Sequence, residues 1–224
     1  MIAVLFDLDG TLTDSKPGIL NSVKYALEKT HHPIPDEKTL QLFIGPPLLH
    51  SFKEHCHMTD QEADETYSFF HERYISKGMF ENEPYPHIKE MLSSFRQGKA
   101  YIGVATAKPE VEAIEILKHY DLAPMIDIIK GAHPKEGVVE KYDILQSALN
   151  AFQAMTDGGK KKITRYYMVG DRKYDIEAAK RLQCRALAVT YGYGFPEELE
   201  AAKPDYMCHS PEDILLNVAV DGLL

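Results

Sequence analysis

The chain has 224 residues, enough for one sizeable core with room for a smaller second domain. Its 34 Asp and Glu outnumber its 25 Lys and Arg, which argues against a nucleic-acid binder and against a protein of anionic membrane surfaces. An anionic substrate would therefore have to be captured by a local site, against the field of the whole molecule. The three cysteines, Cys56, Cys184 and Cys208, are odd in number and have no zinc-finger or redox spacing, so reduced thiols are expected. No basic and apolar leader precedes the first strand, and no apolar run approaches the roughly 20 residues of a spanning helix. A soluble, cytoplasmic protein is expected.

Ile2 to Phe6 is a short, continuous apolar run, which reads as a strand buried on both faces of a parallel sheet. Asp7 and Asp9 follow at its carboxyl end, where ligands bind in open α/β sheets. Two acids on one short turn repel unless a cation sits between them, so the pair suggests a divalent metal with oxygen ligands. Gly10 lets backbone amides approach an anion closely. A plain polar turn is the competing reading of Asp-x-Asp-Gly. A calcium loop fits less well, because its glycine belongs at the sixth position and a helix should lead in.

After Asp14 the pattern turns helical. Pro17 suits a first turn, and Ile19, Leu20, Val23, Ala26 and Leu27 share one face of a helix reaching about Thr30. A short helix is expected over Glu37 to Phe43 and another after Gly45-Pro46-Pro47, with Leu48, Leu49 and Phe52 on its apolar side. Thr59-x-x-Glu62 reads as a capping box for a helix that ends near Gly78. No strand is evident between Ser15 and Glu81. The second strand is placed at Tyr101–Ala105, after a helix from Pro86 to Gly98. The interval from the first strand far exceeds the dozen or so residues that one crossover needs, so the surplus is read as a helical insertion above the crevice.

From Tyr101 strands and helices alternate. Strands are expected at Tyr101–Ala105, Ile126–Ile129, Tyr166–Val169 and Ala186–Thr190. Helices are expected from Pro109, over Lys141–Phe152 and over Asp175–Gln183. This rhythm indicates an α/β, doubly wound parallel sheet. The basic segment from Thr156 to Lys162 reads as an exposed loop.

Three later strand ends supply polar groups that the first acid would need. Thr106 precedes Ala107-Lys108-Pro109, Lys141 opens a helix, and Asp171 and Asp175 follow Gly170. Singly these could be a helix cap, a solvated lysine and first-turn acids. Together they supply a nucleophilic carboxylate, a hydroxyl, a cation and metal acids at one sheet edge. That set fits phosphoryl transfer, which depends on positioning and charge neutralisation. Lys108, Lys130 and Lys135 compete for the cation's place, and Lys141 is preferred because it starts a helix after the third strand.

In its motifs the chain resembles a phosphatase of the haloacid dehalogenase superfamily, in the phosphoglycolate phosphatase-like group with a helical cap. The resemblance rests on Phe6-Asp7-Leu8-Asp9-Gly10-Thr11-Leu12-Thr13-Asp14-Ser15, on Ala105-Thr106-Ala107-Lys108-Pro109, on Lys141 and on Gly170-Asp171-Arg172-Lys173-Tyr174-Asp175, in that order. Ile44-Gly45-Pro46-Pro47-Leu48 and Tyr191-Gly192-Tyr193-Gly194 also resemble segments of that group. The resemblance implies a Rossmann-like core over residues 1–14 and 82–224 and an all-helical cap over 15–81. Asp7 would be the nucleophile, Asp9 the acid and base, and Thr106 and Lys141 the holders of the transferring oxygens. Mg²⁺ would be bound by Asp7, the Asp9 carbonyl, Asp171 and Asp175. Gly10, Thr11, Ala107 and Lys108 would meet the substrate, and Gly45 and Pro46 would shape the cap's substrate-facing loop.

The implied substrate is a small phosphorylated metabolite, with phosphoglycolate leading and nucleotides and pyrophosphate competing. No nucleic-acid or membrane partner is expected, and the chain is expected as a monomer or homodimer. A phosphosugar mutase and a non-catalytic binding protein of the same fold are the rivals. The acid at position 9 favours phosphate esters over dehalogenation. His50, His55, Cys56 and His57 do not form a convincing metal site. The glycines of residues 191–194 complete no dinucleotide fingerprint and read as a loop at the crevice rim.

Overall fold

Ile2–Phe6 forms strand β1, and every one of its residues is buried. The computed structural model describes residues 1–133, 140–156 and 162–220. The chain divides into two units, Met1–Thr13 with Pro84–Leu224, and Asp14–Glu83.

The second unit is helical: α1 (Lys16–Lys29), α2 (Glu37–Gln41), α3 (Leu48–Cys56) and α4 (Asp60–Ser76). Pro17 sits in the first turn of α1, where its missing N–H is not needed. The box at the start of α4 closes in both directions. The Thr59 N–H donates to Glu62 Oε2 at 2.8 Å, and the Glu62 N–H donates to Thr59 Oγ1 at 3.3 Å. Phe70 and Tyr74 of α4 stack at 5.3 Å. The Arg73 guanidinium grips both oxygens of Glu81 at 3.0 Å and also donates to Ser22 Oγ at 3.0 Å. Gly18 in α1 admits a close turn of chain, since a Cβ there would lie 1.9 Å from the Gly78 carbonyl oxygen.

The first unit is built on a six-stranded sheet. After α5 (Ile88–Gln97) come β2 (Tyr101–Pro109), α6 (Glu110–His119), β3 (Ile128–Ala132), α7 (Lys141–Thr156), β4 (Arg165–Gly170), α8 (Lys173–Arg181) and β5 (Arg185–Val189). Helix α9 (Pro196–Ala202), β6 (Tyr206–Cys208) and α10 (Pro211–Val220) complete it. The spatial order is β3-β2-β1-β4-β5-β6 and all neighbouring pairs are parallel. The order reverses beside β1, and a doubly wound sheet opens its crevice at that reversal.

Both faces of β1 are covered because alternate residues point to opposite sides. Ala3 and Leu5 join the cluster formed by Ile144, Leu145, Ala148 and Phe152 of α7 and Ile176 and Ala179 of α8. Phe6 meets Phe95 of α5 at 6.1 Å. Gly103 in β2 makes room for Phe152, whose ring atom would lie 2.9 Å from a Cβ at that position. Each such fully buried side chain contributes roughly 1.5–3 kcal/mol relative to exposure.

Several element ends differ from expectation. Strand β3 starts at Ile128 instead of Ile126, because Asp127 first binds back to the core. Its carboxylate accepts from the Ile102 N–H and the Arg96 guanidinium, at 2.8 and 2.7 Å. Strand β2 runs on to Pro109, where its ladder with β3 resumes after a register shift beyond Ala105. Helix α8 spans Lys173–Arg181, starting and stopping two residues before the sequence pattern. Most of the loop expected at Thr156 to Lys162 lies outside the described residues, as does Lys135. Among the described residues no helix is long and apolar enough to cross a membrane.

Candidate active site

The parallel register places the candidate residues along one sheet edge. Phe6 of β1 lies beside Val104 of β2 and Val169 of β4. Continuing that register, Asp7 stands level with Ala105 and Gly170, and Thr106 and Asp171 each follow one residue further along. The Asp7 N–H extends the ladder by donating to the Val169 carbonyl at 2.9 Å. Thr106 and Asp171 are both buried.

Asp7, Asp171 and Asp175 offer carboxylate oxygens within 4.8 Å of one another. The Lys141 ammonium lies 2.7 Å from Asp7 Oδ2 and 2.7 Å from Asp175 Oδ1. Its position follows from its place at the start of α7, whose apolar residues are clamped to the sheet. The buried Asp171 and Asp175 and the half-buried Asp7, set against one buried ammonium, leave excess negative charge. Burial alone would lower the lysine's pKa, but Asp175 and Asp7 outweigh it and hold the ammonium above its ordinary range. Burial, reinforced by Asp175 and then Asp7, pushes the Asp171 carboxyl up to about 8. Burial also raises Asp175, with Lys141 opposing and Asp7 adding to the effect. Such a set of hard oxygen donors, costly to ionise without a cation, fits a divalent metal ion.

Each acid is held in place. Asp7 Oδ1 accepts from the Leu8 N–H at 2.7 Å. Asp171 accepts from Thr11 Oγ1 at 3.2 Å and from the Tyr193 N–H at 2.8 Å. Asp175 Oδ2 accepts from the Arg172 N–H at 3.1 Å. Gly10 has a φ of 79°, and a Cβ there would lie 2.2 Å from Asp171 Oδ2. Its N–H is engaged by the Thr13 carbonyl at 2.8 Å, and the Thr11 N–H by the Leu8 carbonyl at 3.2 Å.

The remaining candidates fall as follows. Asp9 Oδ2 pairs with the Lys108 ammonium at 3.0 Å. Thr106 Oγ1 accepts from the Lys108 N–H at 3.3 Å, and Ala107 between them is exposed. Lys130 lies 4.0 Å from Glu110. Gly45 and Pro46 belong to the helical unit. There His50 pairs with Glu54 at 2.9 Å. Among the described residues the three aspartates are the one acid, histidine or cysteine cluster with ligand spacing.

The sequence reading missed the support for Asp171. Thr11, expected at the substrate, donates to that acid. Tyr193 acts through its backbone, so its residue type carried no signal. The glycines beside it could have been a clue. A Cβ at Gly192 would lie 2.2 Å from the Gly10 carbonyl oxygen, and one at Gly194 would lie 1.9 Å from that of Asp171.

Comparison with known proteins identifies the family and the fold. A family model described as haloacid dehalogenase-like hydrolase matches residues 4–189. The chain is 33% identical over 205 residues to a 5'-nucleotidase of Pseudomonas aeruginosa, covering 92% of this chain and 90% of that protein. It is 28% identical over 229 residues to a phosphoglycolate phosphatase of Vibrio parahaemolyticus, covering 98% and 96%. A predicted phosphatase from Clostridium acetobutylicum has a TM-score of 0.86 at 36% identity, covering 97% of this chain and 98% of that one.

Proposed function

This chain belongs to the haloacid dehalogenase-like hydrolases and is a phosphoric monoester hydrolase of that family, and from that premise we propose that it is a Mg²⁺-dependent phosphatase working through an aspartyl-phosphate on Asp7. The observation that carries the reading is the clustered trio Asp7, Asp171 and Asp175 with Lys141 bridging two of its members. The trio, with the Asp9 carbonyl, would hold the cation. When bound, the cation offsets the repulsion between an anionic nucleophile and an anionic phosphoryl group.

The chain's own groups supply the rest. Asp7 attacks phosphorus with one carboxylate oxygen while its other oxygen stays fixed. Lys141 and Thr106 hold equatorial oxygens, where charge is spread in the transition state. Asp9 gives its proton to the departing alkoxide oxygen as the bond from phosphorus to that oxygen breaks. It then takes a proton from the water that attacks the aspartyl-phosphate, which restores Asp7.

The substrate is a small phosphomonoester. The phosphatase from Vibrio supports phosphoglycolate, and the 33% identity to the Pseudomonas enzyme supports a nucleoside 5'-monophosphate as the second reading. We assign the cap's role to the helical unit, with Gly45 and Pro46 setting preference between leaving groups. Exchanging residues 44–48 is then expected to change substrate preference and leave the metal requirement intact.

The test is a phosphate-release screen over phosphorylated metabolites with Mg²⁺, using Asp7→Asn as the blank. Release by the unaltered chain that vanishes in Asp7→Asn is the expected outcome. Equal release by both would overturn the nucleophile. Isomerisation of a hexose 1-phosphate without free phosphate would point to a mutase.

A further inference from the structure

Lys108 has no role in the mechanism above, yet it is one of the most enclosed cations in the molecule, with a side chain only 6% exposed. Its ammonium lies 3.0 Å from Asp9 Oδ2. The other oxygen of that carboxylate, Oδ1, is buried and has no hydrogen-bond partner among the described residues. The two residues come from different strands. Asp9 lies in the turn after β1 and Lys108 lies in the last stretch of β2, within the register shift between Ala105 and Pro109. Its own N–H donates to Thr106 Oγ1, which ties the lysine's backbone to a second candidate residue.

A buried carboxylate oxygen without a partner is costly unless a ligand completes it. Here the two oxygens are unlike: one is fixed by a buried cation and the other is buried with no partner among the described residues. We propose that Lys108 is a positioning residue for the acid and base of the reaction. It anchors the Asp9 carboxyl through Oδ2 and so fixes its orientation for giving a proton to the leaving-group oxygen and later taking one from the hydrolytic water. This rests on the phosphatase reading of the site and deepens it. The ammonium stays on Oδ2 whether the carboxyl carries the proton or has given it up, so one anchor serves both halves of the reaction. Lys108 was expected to touch substrate. The ion pair instead directs its charge to Asp9.

The two roles separate by leaving group. An alkoxide departs with a proton from Asp9, whereas p-nitrophenolate departs without one. The experiment compares the unaltered chain, Lys108→Met, Asp9→Asn and the double variant on p-nitrophenyl phosphate and on two alkyl esters, 2-phosphoglycolate and adenosine 5'-monophosphate. A positioning role predicts that Lys108→Met lowers kcat on the alkyl ester by about 10²-fold and far less on p-nitrophenyl phosphate, with KM changed little. Asp9→Asn should show the same split, and the double variant should be no slower than Asp9→Asn, because both changes remove one function. Lys108→Arg, which keeps a cation for Oδ2, should recover part of the loss.

A KM raised alike for all three esters, or losses that multiply in the double variant, would overturn the proposal and make Lys108 a substrate contact. Folding is checked by the turnover of p-nitrophenyl phosphate, which a collapsed variant could not support. If the unaltered chain released phosphate from none of the esters, the phosphatase reading would fall and this inference with it. An unequal result confined to the variants concerns Lys108 alone.

Discussion

The backbone N–H of Tyr193 donates to Oδ2 of Asp171 at 2.8 Å, across from the loop after β5 to the loop after β4. Thr11 holds the other oxygen of the same acid from the loop after β1. Asp171 is therefore held between the loop after β1, which carries Asp7 and Asp9, and the loop after β5, which carries no proposed metal ligand. Partners of this kind orient ligands and tune affinity, typically by 10–100-fold.

The first prediction follows from that contact. A Cβ on Gly192 would lie 2.3 Å from the Asp171 Cβ and 2.2 Å from the Gly10 carbonyl oxygen, so backbone on at least one side must move. Gly192→Ala is expected to weaken Mg²⁺ binding by about 10-fold or more. Titration of the ion into the variant, followed by calorimetry, checks it. An unchanged affinity would show that the loop does not set the geometry of Asp171.

The second concerns pH. In the metal-free chain the Asp171 carboxyl is pushed from 3.8 up to about 8 by burial and by Asp175 and Asp7. The folded chain then keeps a proton that the unfolded chain releases. Its stabilising effect is full below about 4 and is lost as pH rises to about 8. Thermal unfolding in a chelator should show stability falling over this window, less steeply in Asp171→Asn. Saturating Mg²⁺ should blunt the fall, since a bound cation favours the ionised acids. A chelated chain that gained stability over the same window would contradict the shift.

The third concerns Lys141, whose removal leaves two carboxylates without their shared ammonium. Breaking a buried pair from one side costs about 3–5 kcal/mol. Lys141→Met is expected to lose about that much in a chelator and to regain part of it with Mg²⁺, while phosphate release stays abolished. Denaturant titrations with and without the ion give both numbers.

A fourth lies in the helical unit. The Arg73 guanidinium holds Glu81 below the usual carboxylate range by hydrogen bonding. A depressed acid contributes stability above its unfolded pKa and loses it as pH falls. Arg73→Met should cost about 1.5–3 kcal/mol near neutral pH and less near pH 3. Unfolding of the variant and the parent at both values measures the difference.

Much of this architecture could be read from the chain. The apolar run of β1, its abrupt stop at Asp7 and the Thr59 box each declare themselves in local residue types, and the structure contains them. The alternation after Tyr101 likewise gave the sheet class, because period and length distinguish buried strands from helices. Strand β6 was missed, being three residues long and followed directly by polar groups. The late start of β3 was hidden because Asp127 looks like any polar residue until Ile102 and Arg96 are beside it. The partners of Asp171 were hidden for a different reason: a backbone N–H has no residue-type signature, and Thr11 is far from Asp171 along the chain.

The strand order also governs how this chain must be assembled as it is synthesised. β1 leads the chain, yet its neighbours in the sheet are β2 and β4, separated from it by the whole helical unit and then by β3 and α7. Until Arg165–Gly170 has left the ribosome, a strand of five apolar residues has at least one open edge. Such an edge is a template for pairing with another chain. Contacts this distant in sequence also form slowly. Nascent chains stalled before β4 should therefore depend on chaperones far more than released ones.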